Sequence, residues 1–418
     1  MQRLEVSGGN RLRGTVSVGG AKNSVLPILA ATLINGGENV LHNCPDLRDV
    51  DSAIAILRHL GCTVEREGHT IRVDSSTIHR CDVPDKLMRE MRSSVIFLGP
   101  ILARCGEAVL TFPGGCELGP RPIDLHLDAL RKLGAEITEE HGRIRCTARD
   151  LRGRDILLSM PSVGATENAM LAATACNGVT RIINAAREPE ILDLQSFLQK
   201  CGAQIRGAGT GEIMVIGGGV RSDVKHRILP DRIVAATYLC AAAACGGEIT
   251  VTDCEPGHVG TVLAQLAEGG ARFQVSGRTV RLQCDKRLTS MGPVRTMPYP
   301  GFPTDAQAQL MAAACTARGT TVFLENIFEN RYRHAAELTR LGAKIRTSGR
   351  VAVVEGTDRL RGADVTCTDL RGGAALVIAA LAAEGESTIR EIGHIDRGYE
   401  KIETDIAGLG GVIRRTEA

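Results

Sequence analysis

Apolar residues along this chain gather in two kinds of run, and the two alternate. One kind is rich in Ala, Leu and Val with scarcely a polar position, as in VLPILAATLI, LMAAAC and ALVIAALAA. A helix that is apolar all round belongs in a core and not on a surface. The other kind is helix-like, ends in glycine and runs straight into a strand-like stretch: LRHLGCTVE, LRKLGAEIT, LQKCGAQIR, LAEGGARFQ, LTRLGAKIR and IAGLGGVIR. Its glycines (Gly61, Gly134, Gly202, Gly270, Gly342 and Gly410) recur about every 70 residues, the signature of an internal repeat. The Ala-rich runs keep the same phase, and each leads through a glycine into a β-like run, as in MLAATACNGVTRIIN. Glycine after a helix supplies the positive φ of a left-handed C-cap without a Cβ clash. Each unit therefore predicts helix, strand, helix, strand, turn, strand, and six units fill the chain.

This pattern predicts an α/β fold in which sheets wrap a central cluster of buried helices. DLRGRDILL and RLRGADVTC are further strand candidates, additions to the second and fifth units. The sixth unit stops at Ile413-Arg-Arg, before its second hairpin strand, and the opening RLEVSGGNRLRGTVSV reads as the missing piece. Units one to three predict one domain, 22–229, which carries the loop of Cys116. Units four to six predict the other, 230–418, closed by residues 1–21. Two chain crossings, near Lys22 and near Pro230-Asp231, suit a hinge, and the cleft between domains is the expected ligand site.

Composition narrows the function. With 43% hydrophobic and 23% charged residues the chain is ordinary globular material, not a disordered one. A net charge of +2 without basic or acidic blocks, 3% aromatics and no Trp argue against nucleic-acid binding. No apolar run reaches the roughly 18 to 20 residues of a membrane span, and the first residues resemble no leader, so a cytoplasmic location is expected. The 14 cysteines lie scattered, many in Ala-rich runs, and read as small buried hydrophobes. Without CxxC or HExxH, no metal site is expected.

Four polar or glycine-rich stretches break the repeat. GGAKNSVLPIL puts Lys22 and Asn23 before an apolar helix, where a cation opposes the macrodipole unless an anion sits there. TFPGGCELGPRPIDLHL is a long Pro/Gly loop of the kind that forms lids, and it carries Cys116, Arg121, Asp124 and His126. A loop cysteine beside an arginine is a candidate reactive thiolate, unlike the core cysteines. GFPTDAQAQL places Asp305 at a helix start, as an N-cap or as a fixed general base. HIDRGYEKIE carries Arg397 beside Asp396, a surface pair on the plainest view. ENRYRH and TDLRGG add Arg331, Asp369 and Arg371 as comparable loop residues. Each has a bland explanation singly. Together, Lys22, Arg121 and Arg397 offer cations from both halves of the chain, enough for a substrate with a phosphate and a carboxylate.

These residues lie in stretches that resemble those of the UDP-N-acetylglucosamine 1-carboxyvinyltransferases, in order and at similar spacing, over essentially the full length. Besides the four above they include MRSSVIFLGPILAR, SVGATENAMLAA, NAAREPEI and LPDRI, and PGGC followed by GPRPIDLH is the most specific. The resemblance implies a two-domain inside-out α/β barrel of six repeats. It implies transfer of the enolpyruvyl group of phosphoenolpyruvate to the 3-hydroxyl of UDP-N-acetylglucosamine, with loss of phosphate, as the committing step of peptidoglycan synthesis. Lys22, Asn23, Arg121 and Arg397 then hold phosphoenolpyruvate. Arg92, Arg121, Pro122, Ile123, Asp124, Leu125, Ser162, Val163, Gly164, Asp305 and Ile327 hold the UDP-sugar. Asp305 is the implied base, and Cys116 the implied proton donor, or else a group acting in product release, and the fosfomycin target; no metal or organic cofactor is implied.

Two departures stand out. Met160 occupies a place where many relatives carry a lysine near the nucleotide phosphates, and MRSSVIFLG lacks a Trp that some members have. They leave room for a diverged UDP-sugar-binding paralogue with a regulatory role or another acceptor. The shikimate 3-phosphate enzyme lacks the PGGC lid. An RNA 3′-terminal phosphate cyclase is disfavoured by near-neutral charge and scarce aromatics.

Overall fold

The computed structural model describes residues 2–91, 93–112, 123–219 and 223–417. Among them, the chain from Gly20 to Leu229 forms one compact unit, while the residues up to Gly19 and those from Pro230 onward form another. Each unit contains three four-stranded sheets.

The first repeat shows the local logic. Helix Lys22–Asn35 buries every residue but Asn23, as its uniformly apolar sequence predicts. It ends at Gly36, in the left-handed region at φ 65°. Strand Glu38–His42 follows, then the amphipathic helix Arg48–Leu60, which ends at Gly61 with φ 105°. The Gly61 N–H bonds back to the Arg58 and Leu57 carbonyls, so the left-handed residue satisfies carbonyls the helix cannot. The hairpin Thr63–Glu67 and Thr70–Asp74 pairs antiparallel with Thr63 opposite Asp74, and Glu38–His42 adds to it with Glu38 opposite Asp74. The corresponding helix-end glycines of the other repeats also have positive φ.

The buried helices form the centre of each unit. Lys22–Asn35 packs against Leu98–Cys105 in one, and in the other Arg232–Cys245, Thr304–Ala314 and Leu370–Ala382 pack on one another. Leu29, Leu239, Leu310 and Leu376 are wholly inaccessible. Burying a leucine this completely contributes about 1.5–3 kcal/mol, so the Ala-rich helices, not the sheets' outer faces, hold each unit together. Most cysteines join these cores. Burial pushes the Cys44, Cys146 and Cys315 thiols up to about 12, so they stay protonated and inert. Among the described residues, Cys81 and Cys245 are half-buried and Cys105 is exposed.

The sheets differ from expectation in their fourth strand. Each has a parallel edge strand contributed by the chain just before, or by a more distant segment. Asp155–Leu157 and Asp364–Thr366 are strands as predicted, but they join the sheets of the third and sixth repeats. Val224–Arg227 returns to the first repeat's sheet, parallel to Glu38–His42. The edge strands Asp82–Val83 and Val294–Arg295 are two residues long, too short for any period to show. The opening segment divides. Gln2–Ser7 completes the sixth sheet, with Gln2 opposite Glu417 and Leu4 opposite Ile389. Leu12–Ser17 instead runs parallel to Gly247–Thr252 in the fourth repeat's sheet. No helix among the described residues is long and apolar enough to cross a membrane.

Candidate active site

In the unit from Gly20 to Leu229, Lys22 is the first residue of its helix, after Ala21, which provides no side-chain cap. The dipole opposes a cation there. Asp49 answers it: its Oδ2 lies 2.7 Å from the Lys22 ammonium, with side chains 10% and 2% exposed for the lysine and the aspartate. Asp49 itself sits in the first turn of helix Arg48–Leu60, where negative charge is favoured. Two residues along, Ser24 Oγ donates to Asp193, which also accepts the Leu229 N–H at 3.2 Å. Lys200 Nζ donates to His226 Nδ1 at 3.1 Å, so His226 Nε2–H donates to Asp193 Oδ1 at 2.9 Å.

The same unit holds the SVGATENAM stretch. Ser162 caps helix Val163–Ala173, accepting the Ala165 N–H at 3.4 Å. A Cβ on Gly164 would come within 2.8 Å of the His126 ring, so glycine is what admits the imidazole. Asn168 Nδ2 donates to Val95 O at 2.9 Å and to His126 Nδ1 at 2.7 Å, while its Oδ1 accepts the Gly99 N–H. His126 is therefore tied into the packing of this helix. Ile123 is buried, Leu125 half-buried, and Asp124 exposed at the start of helix Asp124–Lys132. Met160 is 47% exposed, just ahead of the Ser162 cap. Inside the helix, burial and the nearby Glu190 and Glu188 carboxylates push the Glu167 carboxyl well above its usual range. Sequence reading passed over this one acid in an apolar helix. Cys116, Arg121, Pro122 and Arg92 lie outside the described residues.

The other unit is organised around Asp305. Helix Thr304–Ala314 has Pro303 at its cap position, and Asp305 is the second residue inside it. The carboxylate is thus not the helix cap; it is turned to arginines. Arg331 Nη2 lies 3.0 Å from Oδ1 and Arg371 Nη2 3.2 Å from Oδ2. Both arginine side chains are 3% exposed, whereas that of Asp305 is 29% exposed. Burial alone would raise the carboxyl, but the guanidinium groups of Arg371, Arg331 and Arg232 together hold it well below the carboxylate range.

Other groups fix those arginines. Arg331 also donates to the Thr304 carbonyl at 3.1 Å and stacks its guanidinium 5.6 Å from the Phe328 ring. Asp369 caps helix Leu370–Ala382, accepting the Arg371 and Gly372 N–H groups, both at 3.0 Å. His334 is buried beside Arg331 and Asp369, and burial above all lowers its pKa to about 4, keeping it neutral. Glu325, inaccessible to solvent, accepts the Ile327 N–H at 2.8 Å and the Thr304 hydroxyl at 3.0 Å. Arg331 does lie in a turn, just before helix His334–Arg340, whereas Arg371 is inside helix Leu370–Ala382. They are the buried partners of the acid, and Arg232 of the LPDRI stretch, which sequence reading left without a role, is a third cation toward it. Arg397 ends the 3-10 turn Ile392–Arg397 and is half-buried; its neighbour Asp396 pairs with Arg415 at 2.7 Å. Among the described residues, no group of three or more His, Cys, Asp or Glu side chains is placed to hold a metal ion.

The chain that builds this fold and this site matches carboxyvinyl-group transferases. The profile of EPSP synthase (3-phosphoshikimate 1-carboxyvinyltransferase) matches residues 6–406. UDP-N-acetylglucosamine 1-carboxyvinyltransferase 2 of Caldanaerobacter subterraneus subsp. tengcongensis is 50% identical, over 99% of this chain and 100% of that one. UDP-N-acetylglucosamine 1-carboxyvinyltransferase 1 of Symbiobacterium thermophilum is 51% identical, over 99% and 95%. Among solved structures, the enolpyruvyl transferase NikO from Streptomyces tendae superposes with a TM-score of 0.90 at 28% identity, covering 100% of this chain and 99% of that one. The EPSP synthase of Acinetobacter baumannii, at 18% identity and a TM-score of 0.77 over the whole of both chains, shares the fold. The chain belongs to the enolpyruvyl transferase family, in its UDP-N-acetylglucosamine 1-carboxyvinyltransferase branch.

Proposed function

We infer that this enzyme transfers the enolpyruvyl group of phosphoenolpyruvate to the 3-hydroxyl of UDP-N-acetylglucosamine, releasing phosphate, in the cytoplasm and at the entry to peptidoglycan synthesis. The observation that supports this reading best is the full-length match, at about half identity, to relatives named for that reaction. A sugar hydroxyl is a poor nucleophile. Asp305, reachable on its arginine floor, takes the hydroxyl proton as the oxygen bonds to the central carbon of phosphoenolpyruvate. The methylene carbon gains a proton from Cys116, giving a tetrahedral adduct. Loss of a methyl proton and of phosphate restores the double bond in the product. Lys22, Asn23, Arg121 and Arg397 hold the donor's phosphate and carboxylate and stabilise the charge that builds on them. Arg92, Pro122, Ile123, Asp124, Leu125, Ser162, Val163, Gly164 and Ile327 seat the UDP-sugar.

The test is phosphate release from phosphoenolpyruvate with and without UDP-N-acetylglucosamine, followed by mass analysis of the nucleotide. Sugar-dependent release and a nucleotide heavier by one enolpyruvyl group are expected. UDP-sugar binding without release would sink the reading in favour of a regulatory paralogue. Fosfomycin should label the wild-type protein and leave Cys116→Ala unlabelled; a labelled Cys116→Ala protein overturns the role given to that thiol.

A further inference from the structure

A buried chain of hydroxyls leads away from the base. Thr237 Oγ1 donates to the Ile233 carbonyl one helical turn back, at 2.8 Å, which commits its only hydrogen. The 2.7 Å contact between Thr237 Oγ1 and Tyr399 Oη must therefore have the tyrosine as donor. That leaves the phenol oxygen as acceptor, and Arg371 Nη1 donates to it at 3.5 Å while Arg371 Nη2 holds Asp305 Oδ2. The Arg371 guanidinium also lies 5.8 Å from the centre of the Tyr399 ring. Gln309 Nε2 points to both hydroxyls at 3.3 Å. Thr237, Gln309 and Tyr399 are each no more than 2% exposed.

We propose that Tyr399 is a positioning residue for the carboxylate base: its hydroxyl, anchored on Thr237, fixes the plane of the Arg371 guanidinium and so the direction in which Asp305 faces. The proposal rests on the reading of Asp305 as the base. Packing alone does not require the hydroxyl, since phenylalanine fills the same volume. A buried hydroxyl is retained without loss only when its hydrogen bonds are made. Here those bonds run in one direction, from Arg371 to Tyr399 to Thr237 to the helix backbone, and they join three elements from distant parts of the sequence. An arginine held at both ends cannot swing its fork, and a base misplaced by a fraction of an ångström loses its alignment with the attacking oxygen.

The experiment measures kcat, the KM of both substrates and Tm for Tyr399→Phe, Thr237→Val, the double variant and Thr237→Ser, with Asp305→Asn alongside. For Tyr399→Phe, kcat should fall about tenfold with both KM values within about twofold of wild type, the mark of lost alignment rather than lost binding. Thr237→Val should fall less, the double variant should be no slower than Tyr399→Phe, and Thr237→Ser should restore the wild-type rate. Wild-type kcat in Tyr399→Phe overturns the proposal, as do losses that add in full in the double variant. Wild-type turnover in Asp305→Asn instead removes the base assignment itself, a result the Tyr399 variants cannot mimic.

Discussion

Lys22–Asp49 and Asp305–Arg331–Arg371 are both ion pairs at the start of buried helices, built in opposite senses. In the first the cation is the more open member and rests on an aspartate that is 2% exposed. In the second the carboxylate is the open member, 29% exposed, and rests on arginines that are 3% exposed. In each the more exposed group rests on a partner that is almost wholly buried. The difference is in excess. Lys22 meets one opposing charge in this pair, whereas Asp305 faces three guanidinium groups and is held strongly ionised. A carboxylate so well stabilised is a weak base as it stands in this arrangement.

The comparison can be broken at several points. Asp305→Asn keeps the shape and removes the base, so kcat should fall about a thousandfold, near 4 kcal/mol of barrier, with UDP-sugar affinity little changed. Affinity lost as steeply as turnover would mean that Asp305 chiefly binds. Lys22→Met removes the cation from the buried Lys22–Asp49 pair, and urea unfolding should show a loss of about 3 kcal/mol, largely recovered in Lys22→Met/Asp49→Leu. Equal loss in both variants would deny that the charge pair matters. His334 sharpens the other side. Its folded pKa of about 4 lies below the unfolded 6.5. The unfolded chain thus takes the proton first, and stability that is complete above pH 6.5 declines as pH falls toward 4, by ~3 kcal/mol in all. His334→Leu should flatten that slope in urea melts at pH 4.5 and 7; an unchanged slope would assign it to other groups. The smallest effect belongs to Ser162→Ala, whose long capping bond should be worth about 0.5–1 kcal/mol by thermal melting. A loss several times larger would show that Ser162 does more than cap.

How far the sequence foretold this depends on the range of each interaction. Helix-end glycines such as Gly36 and Gly61, and largely apolar helices such as Lys22–Asn35, are local features, so six repeats of helices inside sheets could be read directly. Edge strands of two residues carry no period, and the division of the opening segment between two sheets depends on partners hundreds of residues away. Asp305 illustrates the limit at the site. An aspartate before an apolar helix looks like a cap, and only the approach of Arg331 and Arg371 from distant sequence reveals a carboxylate held for another purpose. Those arginines gave no sign of burial, because each lies in a short polar stretch and becomes interior only through its partner.

The strand pairing of Gln2 with Glu417 bears on the order in which the protein can be made. The segment from Gly20 to Leu229 has all its sheet partners within itself and can fold while the rest is still being translated. Strand Gln2–Ser7 is made roughly 400 residues ahead of Val412–Glu417, with which it pairs. At typical elongation rates that is a delay of roughly 20 to 80 seconds. Until Glu386–Arg390 is made, Leu4 and Val6, destined for the core, have no sheet to join. Nascent chains of this enzyme therefore pass through a state with one finished half and one open edge, where a chaperone or a neighbouring chain could pair before the proper strand arrives.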